Sequence, residues 1–177
     1  MRTRTALLST ALTLVLAAGV EAGGRPNDLL PRVRPLNEQA ASLLAAAQEK
    51  SQTVRDMVAK LQEGDVVAYI QVVPAVEGKP DSGLQFVGGS KAMRFVLIQV
   101  AECKAPCHRV ELLGHELAHV TEVLSASWVT DDAQLQHLLT ITGWRDANSA
   151  RGYETAAAGQ VERTIRREVR GVTGSAQ

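Results

Sequence analysis

Neither sign of charge is in surplus: 19 Lys and Arg stand against 19 Asp and Glu in a chain of 177 residues with a pI near 6.9. Nothing in that balance would grip a phosphate backbone or form an acidic solvating tail, so nucleic acid is not an expected partner. Aromatic residues make up only 3% of the chain, and cysteine occurs twice, at Cys103 and Cys107. Two thiolates alone cannot complete a tetrahedral zinc site. Proline and glycine, at 6 and 14 residues, are not abundant, and no window repeats or is low in complexity. Collagen-like, solenoid and wholly disordered chains are thereby excluded. The length and the 45% hydrophobic content suit one globular domain.

At the N-terminus, Arg2 and Arg4 precede an apolar run from Ala6 to Val20 that ends at Val20-Glu21-Ala22. This is the pattern of a secretory signal peptide over residues 1–22, with a retained anchor as the alternative. The run is shorter than the roughly 18 residues of a spanning helix, and no second one follows. The mature protein is therefore expected to be secreted or periplasmic, without stable membrane insertion. An oxidising compartment would let Cys103 and Cys107 close a local disulfide that pins the turn before the next helix; two free thiols are the alternative.

Residues 23–35 read as an extended lead-in, and 36–177 as a single domain. Leu36 to Leu61 has helical spacing and makes one or two helices, Ser51 being able to cap the second. Val66 to Val73 reads as a strand, Leu84 to Val87 as a short one, and Arg94 to Val100 gives the clearest strand pattern. Pro106 to Leu124 is a helix with a stripe of Leu113, Leu117, Val120 and Leu124. A further helix runs from Thr130-Asp131-Asp132 to about Ile141. The last spans Tyr153 to about Arg170, with Ala157, Ala158, Val161, Ile165 and Val169 on one face. The predicted class is α+β, helices first and a small sheet second.

Within the Pro106–Leu124 helix stands His115-Glu116-Leu117-Ala118-His119, an HExxH arrangement. Positions i and i+4 lie one turn apart on one face, so two neutral imidazoles can converge on one zinc ion at about 2.0–2.1 Å. Glu116 would sit beside the metal-bound water and take its proton. The surrounding Leu112, Leu113, Gly114, Leu117, Ala118 and Val120 are uncharged, which places the motif in an apolar setting.

A strand followed by Gly-His-Glu-Leu-Ala-His on a helix resembles the minimal catalytic core of zincin-type zinc metallopeptidases. The metzincin branch expects Gly and His where this chain has Glu122 and Ser125, and the Gly-Thr-x-Asp stretch of aspzincins is absent, leaving Asp131 or Asp132 as remote possibilities. The gluzincin branch takes its third ligand from a Glu on a later helix followed by small residues, and Tyr153-Glu154-Thr155-Ala156-Ala157-Ala158 fits it. The resemblance thus implies a zincin-like core with a small sheet, an active-site helix and a returning ligand helix. One Zn2+ would be bound by His115, His119 and Glu154.

Glu122 shares the helix face of the two histidines and competes with Glu154 as ligand, although its reach favours holding an imidazole from behind. The implied activity is hydrolysis of peptide or protein substrates, Glu116 moving the proton and Tyr153 or His137 donating to the oxyanion. The Arg94–Val100 strand is a candidate for edge pairing with an extended peptide. His108 has no assigned partner, and Glu162, Arg163, Arg166, Arg167 and Glu168 read as the solvated face of the last helix. Three other readings remain open: a non-catalytic zinc-binding envelope or secreted interaction protein, a metal-free helical export in which the motif is accidental, and hydrolysis of an amide outside proteins, such as cell-wall peptide.

Overall fold

The computed structural model describes residues 30–77, 81–90, 92–102, 105–145 and 153–171. The expected signal peptide, Cys103 of the expected disulfide and the chain beyond residue 171 lie outside the described residues. Among the described residues no helix is long and apolar enough to cross a membrane.

A three-residue strand, β1 (Val33–Pro35), opens the fold inside the segment expected to be a lead-in. Val33 is buried in the core, and Pro35 can stand here because β1 is an edge strand, where a missing N–H costs no ladder bond. Two helices follow, α1 (Glu38–Lys50) and α2 (Gln52–Gln62), with Asn37 accepting from Ala40 N at the first start. Ser51 ends one and caps the other, its hydroxyl accepting from Val54 N.

Strands β2 (Val66–Val73), β3 (Ser82–Gly89) and β4 (Arg94–Ala101) complete a four-stranded sheet in the order β1-β2-β4-β3. β1 and β4 run parallel to β2, and β3 is antiparallel to β4. Ala68, Ile70, Val96, Ile98 and Val100 are buried on one face, while Tyr69, Gln71, Phe95 and Leu97 alternate with them and remain half-buried. β3 is twice as long as the segment Leu84–Val87 that hydropathy picked out, because pairing with β4 carries it through Ser82, Gly83 and Gly88-Gly89.

Helix α3 (Pro106–Ser125) crosses beneath this face, and α4 (Asp132–Thr142) follows it. A short antiparallel pair, β5 (Gly143–Arg145) and β6 (Tyr153–Thr155), leads into α5 (Ala156–Val169). The class is α+β. Every residue from Val110 to Val120 is buried, for α1, α2 and α5 as well as strands β2, β3 and β4 pack against α3. The single stripe expected for this helix describes only part of its buried surface.

Two close approaches set the helix positions. A Cβ on Gly114 would lie 2.0 Å from Cδ1 of the fully buried Ile165, so a side chain there would force Ile165 to shift where α5 packs on α3. A Cβ on Gly143 would lie 2.2 Å from the backbone oxygen of Glu154, so the β5–β6 pairing requires glycine.

The far end of α3 is closed by Arg94. Its guanidinium, 4% exposed, pairs with Asp65 at 2.7 Å and 3.0 Å and donates to the carbonyls of Val123, Ala126 and Val129. This one cation ties β4 to the helix C-terminus, where orphan carbonyls and the helix dipole favour positive charge. Arg94→Met is expected to lower stability by about 3–5 kcal/mol in denaturant unfolding, because buried carbonyls and Asp65 lose their partner together. A change within the scatter of surface substitutions would contradict this role.

Candidate metal centre

The site is built on the middle of α3, where one helical turn separates His115 from His119. Both rings are buried, at 1% and 3% exposure, and their planes meet edge to face with centroids 4.8 Å apart. Their Nε2 atoms face one another at 3.1 Å. Each Nδ1 rests on a carboxylate: His115 on Glu162 at 3.2 Å, His119 on Glu122 at 2.9 Å. A carboxylate behind an imidazole holds the Nδ1–H tautomer and leaves Nε2 with its lone pair. Two such lone pairs across 3.1 Å repel unless a proton or a cation lies between them.

Glu154 lies beside this pair, with Oε2 3.5 Å from Nε2 of His115. It arrives on β6 and not on a helix, contrary to the expectation that the last helix begins at Tyr153. The cause is Thr155. Its backbone is extended (φ −112°, ψ 151°) and its hydroxyl caps α5 by accepting from Ala158 N, so the helix starts only at Ala156. Glu154 pairs instead with Trp144 in the register of β5 and β6. Ala157, expected on the inward face, is exposed, whereas Ala158 and Ile165 are buried.

Glu116, also buried, points to the sheet side, where Ser82 at the start of β3 donates to its Oε1 at 2.7 Å. A cavity of about 100 Å³ adjoins these groups, lined by Ser82, Leu84, His115, Glu116, His119 and Tyr153 among others. Tyr153 therefore faces the same space as the imidazoles. His137 stands apart, its ring exposed and packed edge to face on Trp128 with centroids 5.8 Å apart. Asp131 caps α4 by accepting from Gln134 N, and Asp132 accepts from Phe86 N, so both carboxylates serve backbone amides. The Arg94–Val100 segment is interior, paired on both sides by β2 and β3; the sheet edge beside the cavity is β3.

Several participants are missing from the sequence reading. Glu162 and Arg166 form the i,i+4 pair their spacing predicts, at 2.7 Å, but on a face expected to be solvated Arg166 also donates to Glu111 at 2.9 Å and Glu162 meets His115. Glu111 is 1% exposed, one turn before His115, with His108 3.6 Å and Arg170 3.5 Å from its oxygens. The hydrogen bond from Arg166 to Glu111, aided by the charges of Glu111 and Glu162, holds the guanidinium above its ordinary pKa despite some desolvation. Ser82 gave no signal, being one serine outside the predicted strands.

Burial is the largest influence on His119 and disfavours its charge, but the Glu122 hydrogen bond and the charges of Glu116, Glu122 and Glu154 together raise its pKa above 6.5. Glu122 moves the other way: burial would raise it, but hydrogen bonds from His119 and Thr155, with the histidine charges, bring it below 4.5. These directions belong to the site without a metal ion.

Among the described residues no group of three or more His, Cys, Asp or Glu side chains is so placed that it could hold a metal ion. The pair with Glu154 beside it nevertheless has suitable spacings. Two ligand atoms at about 2.0–2.1 Å from one tetrahedral ion lie about 3.3 Å apart. The observed separations of 3.1 and 3.5 Å bracket that value. Comparison with protein-family models, with curated proteins and with solved structures brings out no match.

In chelator-treated protein, the raised His119 contributes stability that is full below 6.5 and fades as pH rises through its folded value. The lowered Glu122 contributes above 4.5 and fades as pH falls below that. The pair thus contributes most between about 4.5 and 6.5. The stability difference between wild type and Glu122→Gln, measured by thermal unfolding across pH, is expected to peak in that window. A difference independent of pH would contradict the coupling.

Proposed function

We propose that this chain is an exported zinc-dependent hydrolase of peptide (amide) bonds, with His115 and His119 as ligands and Glu154 as the third. One observation carries the reading: two buried imidazoles, each backed by a carboxylate, turn their Nε2 atoms toward one another at 3.1 Å. Imidazoles and a carboxylate are a donor set that zinc accepts. The ion would supply a Lewis acid and an acidified water.

The chain's own groups account for the remainder. Glu116 is beside the pair on the same helix, and Ser82 engages only its Oε1, leaving Oε2 to take a proton and return it to the leaving nitrogen. Burial of the site excludes bulk water and strengthens each of these contacts. Tyr153 lines the cavity from β6, where its hydroxyl can donate to a developing oxyanion. The free edge of β3 runs past the same cavity through Ser82, Gly83 and Leu84 and can pair with an extended peptide.

A second reading, a zinc-binding envelope or secreted protein without turnover, is favoured by the small cavity of about 100 Å³. Zinc content together with a peptide-library assay separates the two. The hydrolase reading expects one zinc per chain in protein purified without chelator, and cleavage that Glu116→Gln abolishes while zinc is retained. Glu154→Ala is expected to weaken zinc binding, by about 10-fold or more if it is a ligand. Wild-type protein holding one zinc but cleaving nothing would favour the second reading, and protein taking up no zinc would sink both.

A further inference from the structure

Among the described residues, Glu111 is a buried charge beside the site that catalysis leaves unused. It sits one turn before His115 on α3, is 1% exposed, and is engaged by Arg166 of α5 at 2.9 Å. Arg166 passes on to Glu162 at 2.7 Å, and Glu162 reaches Nδ1 of His115 at 3.2 Å. The four side chains close a circuit that leaves α3 at Glu111, crosses α5 and returns to α3 at His115. Glu162 and Arg166 are one turn apart on α5, as Glu111 and His115 are on α3, so the circuit has the same pitch on both helices. The close approach of Ile165 to Gly114 holds the helices at that spacing.

A buried carboxylate is costly unless it is paired, and here a guanidinium fork serves two carboxylates at once. Arg166 pairs the buried Glu111 with one arm of its guanidinium and holds Glu162 with another, and Glu162 in turn meets Nδ1 of His115. We infer that Glu111, Arg166 and Glu162 form a positioning relay that fixes the tautomer and orientation of His115 and thereby sets the affinity of the site for a divalent metal ion. The inference rests on the metal-site reading above. Glu162 is the member that touches the imidazole; Arg166 and Glu111 act through it. His119 has its own, separate arrangement in Glu122, which Thr155 steadies by donating to Oε1 at 2.7 Å.

Zinc titration of the full mature chain tests the relay, read by calorimetry with zinc alone as the probe. Glu162→Ala is expected to weaken zinc binding by about 10–100-fold, the usual consequence of removing a carboxylate behind a ligating histidine. The near-isosteric Glu162→Gln, which keeps an acceptor but no charge, is expected to fall between wild type and Ala. Arg166→Ala is expected to lower affinity as well, and the double variant to be no weaker than the stronger single, because the two act on His115 in series. Thermal unfolding of the metal-free variants separates positioning from general damage: Glu162→Gln is expected to unfold near wild type while still binding zinc more weakly. Wild-type affinity in Glu162→Ala, or losses that add in the double variant, would overturn the relay with the metal site intact. A wild-type chain that takes up no zinc would overturn the underlying reading along with it, an outcome recognisable from the wild type alone.

Discussion

Helix α3 is enclosed on all sides through its central turns, yet it carries Glu111, His115, Glu116 and His119 there. Ionisable groups removed from water must find partners or neutralise, and each of these four has a partner, three of them drawn from other elements of the fold and one from the next turn of α3 itself. Arg166 reaches Glu111, Glu162 reaches His115, Ser82 reaches Glu116, and Glu122 reaches His119. The arrangement of β3, α5 and the later turns of α3 follows from that requirement as much as from burial of apolar surface. Ordinary core-building would have put leucines at all four positions.

The same requirement explains why the site is asymmetric. One imidazole is steadied from within its own helix and the other from α5, so the geometry of the pair depends on the contact between two helices. Gly114 and Ile165 fix that contact sterically, and the Glu111–Arg166–Glu162 circuit fixes it electrostatically. Gly143 plays a corresponding part for Glu154, since any side chain there would push β6 and its carboxylate away from His115.

What could be read from the sequence was local. The i, i+4 spacing of His115 and His119, the capping serine between α1 and α2, and the β-branched run of β4 each depend on near neighbours. Apart from Glu154, which the resemblance pointed to and which lies 3.5 Å from His115, features set by distant partners were not legible. Glu162 and Glu168 occupy the expected polar face of an amphipathic helix, but one meets an imidazole 47 residues away and the other the hydroxyl of Ser51, 117 residues away. No periodicity distinguishes such carboxylates from solvated ones. β1 was hidden by its three-residue length and its proline, and Thr155 looked like a helix interior because its capping role appears only once the backbone turns.

The bond between Glu168 and the α1–α2 junction has an implication for how the molecule comes into being. Thr53 also donates to Glu168 at 2.9 Å, so the end of α5 is fastened to the opening helices. An emerging polypeptide exposes His115 and His119 well before it has either Glu154 or Glu162 to offer them. Until the closing helix docks, those rings stand without their distant acids, and a chain truncated before Glu154 would keep the motif's letters while losing two of the carboxylates around it. The set of carboxylates around the two imidazoles is thus complete only once the closing helix has docked.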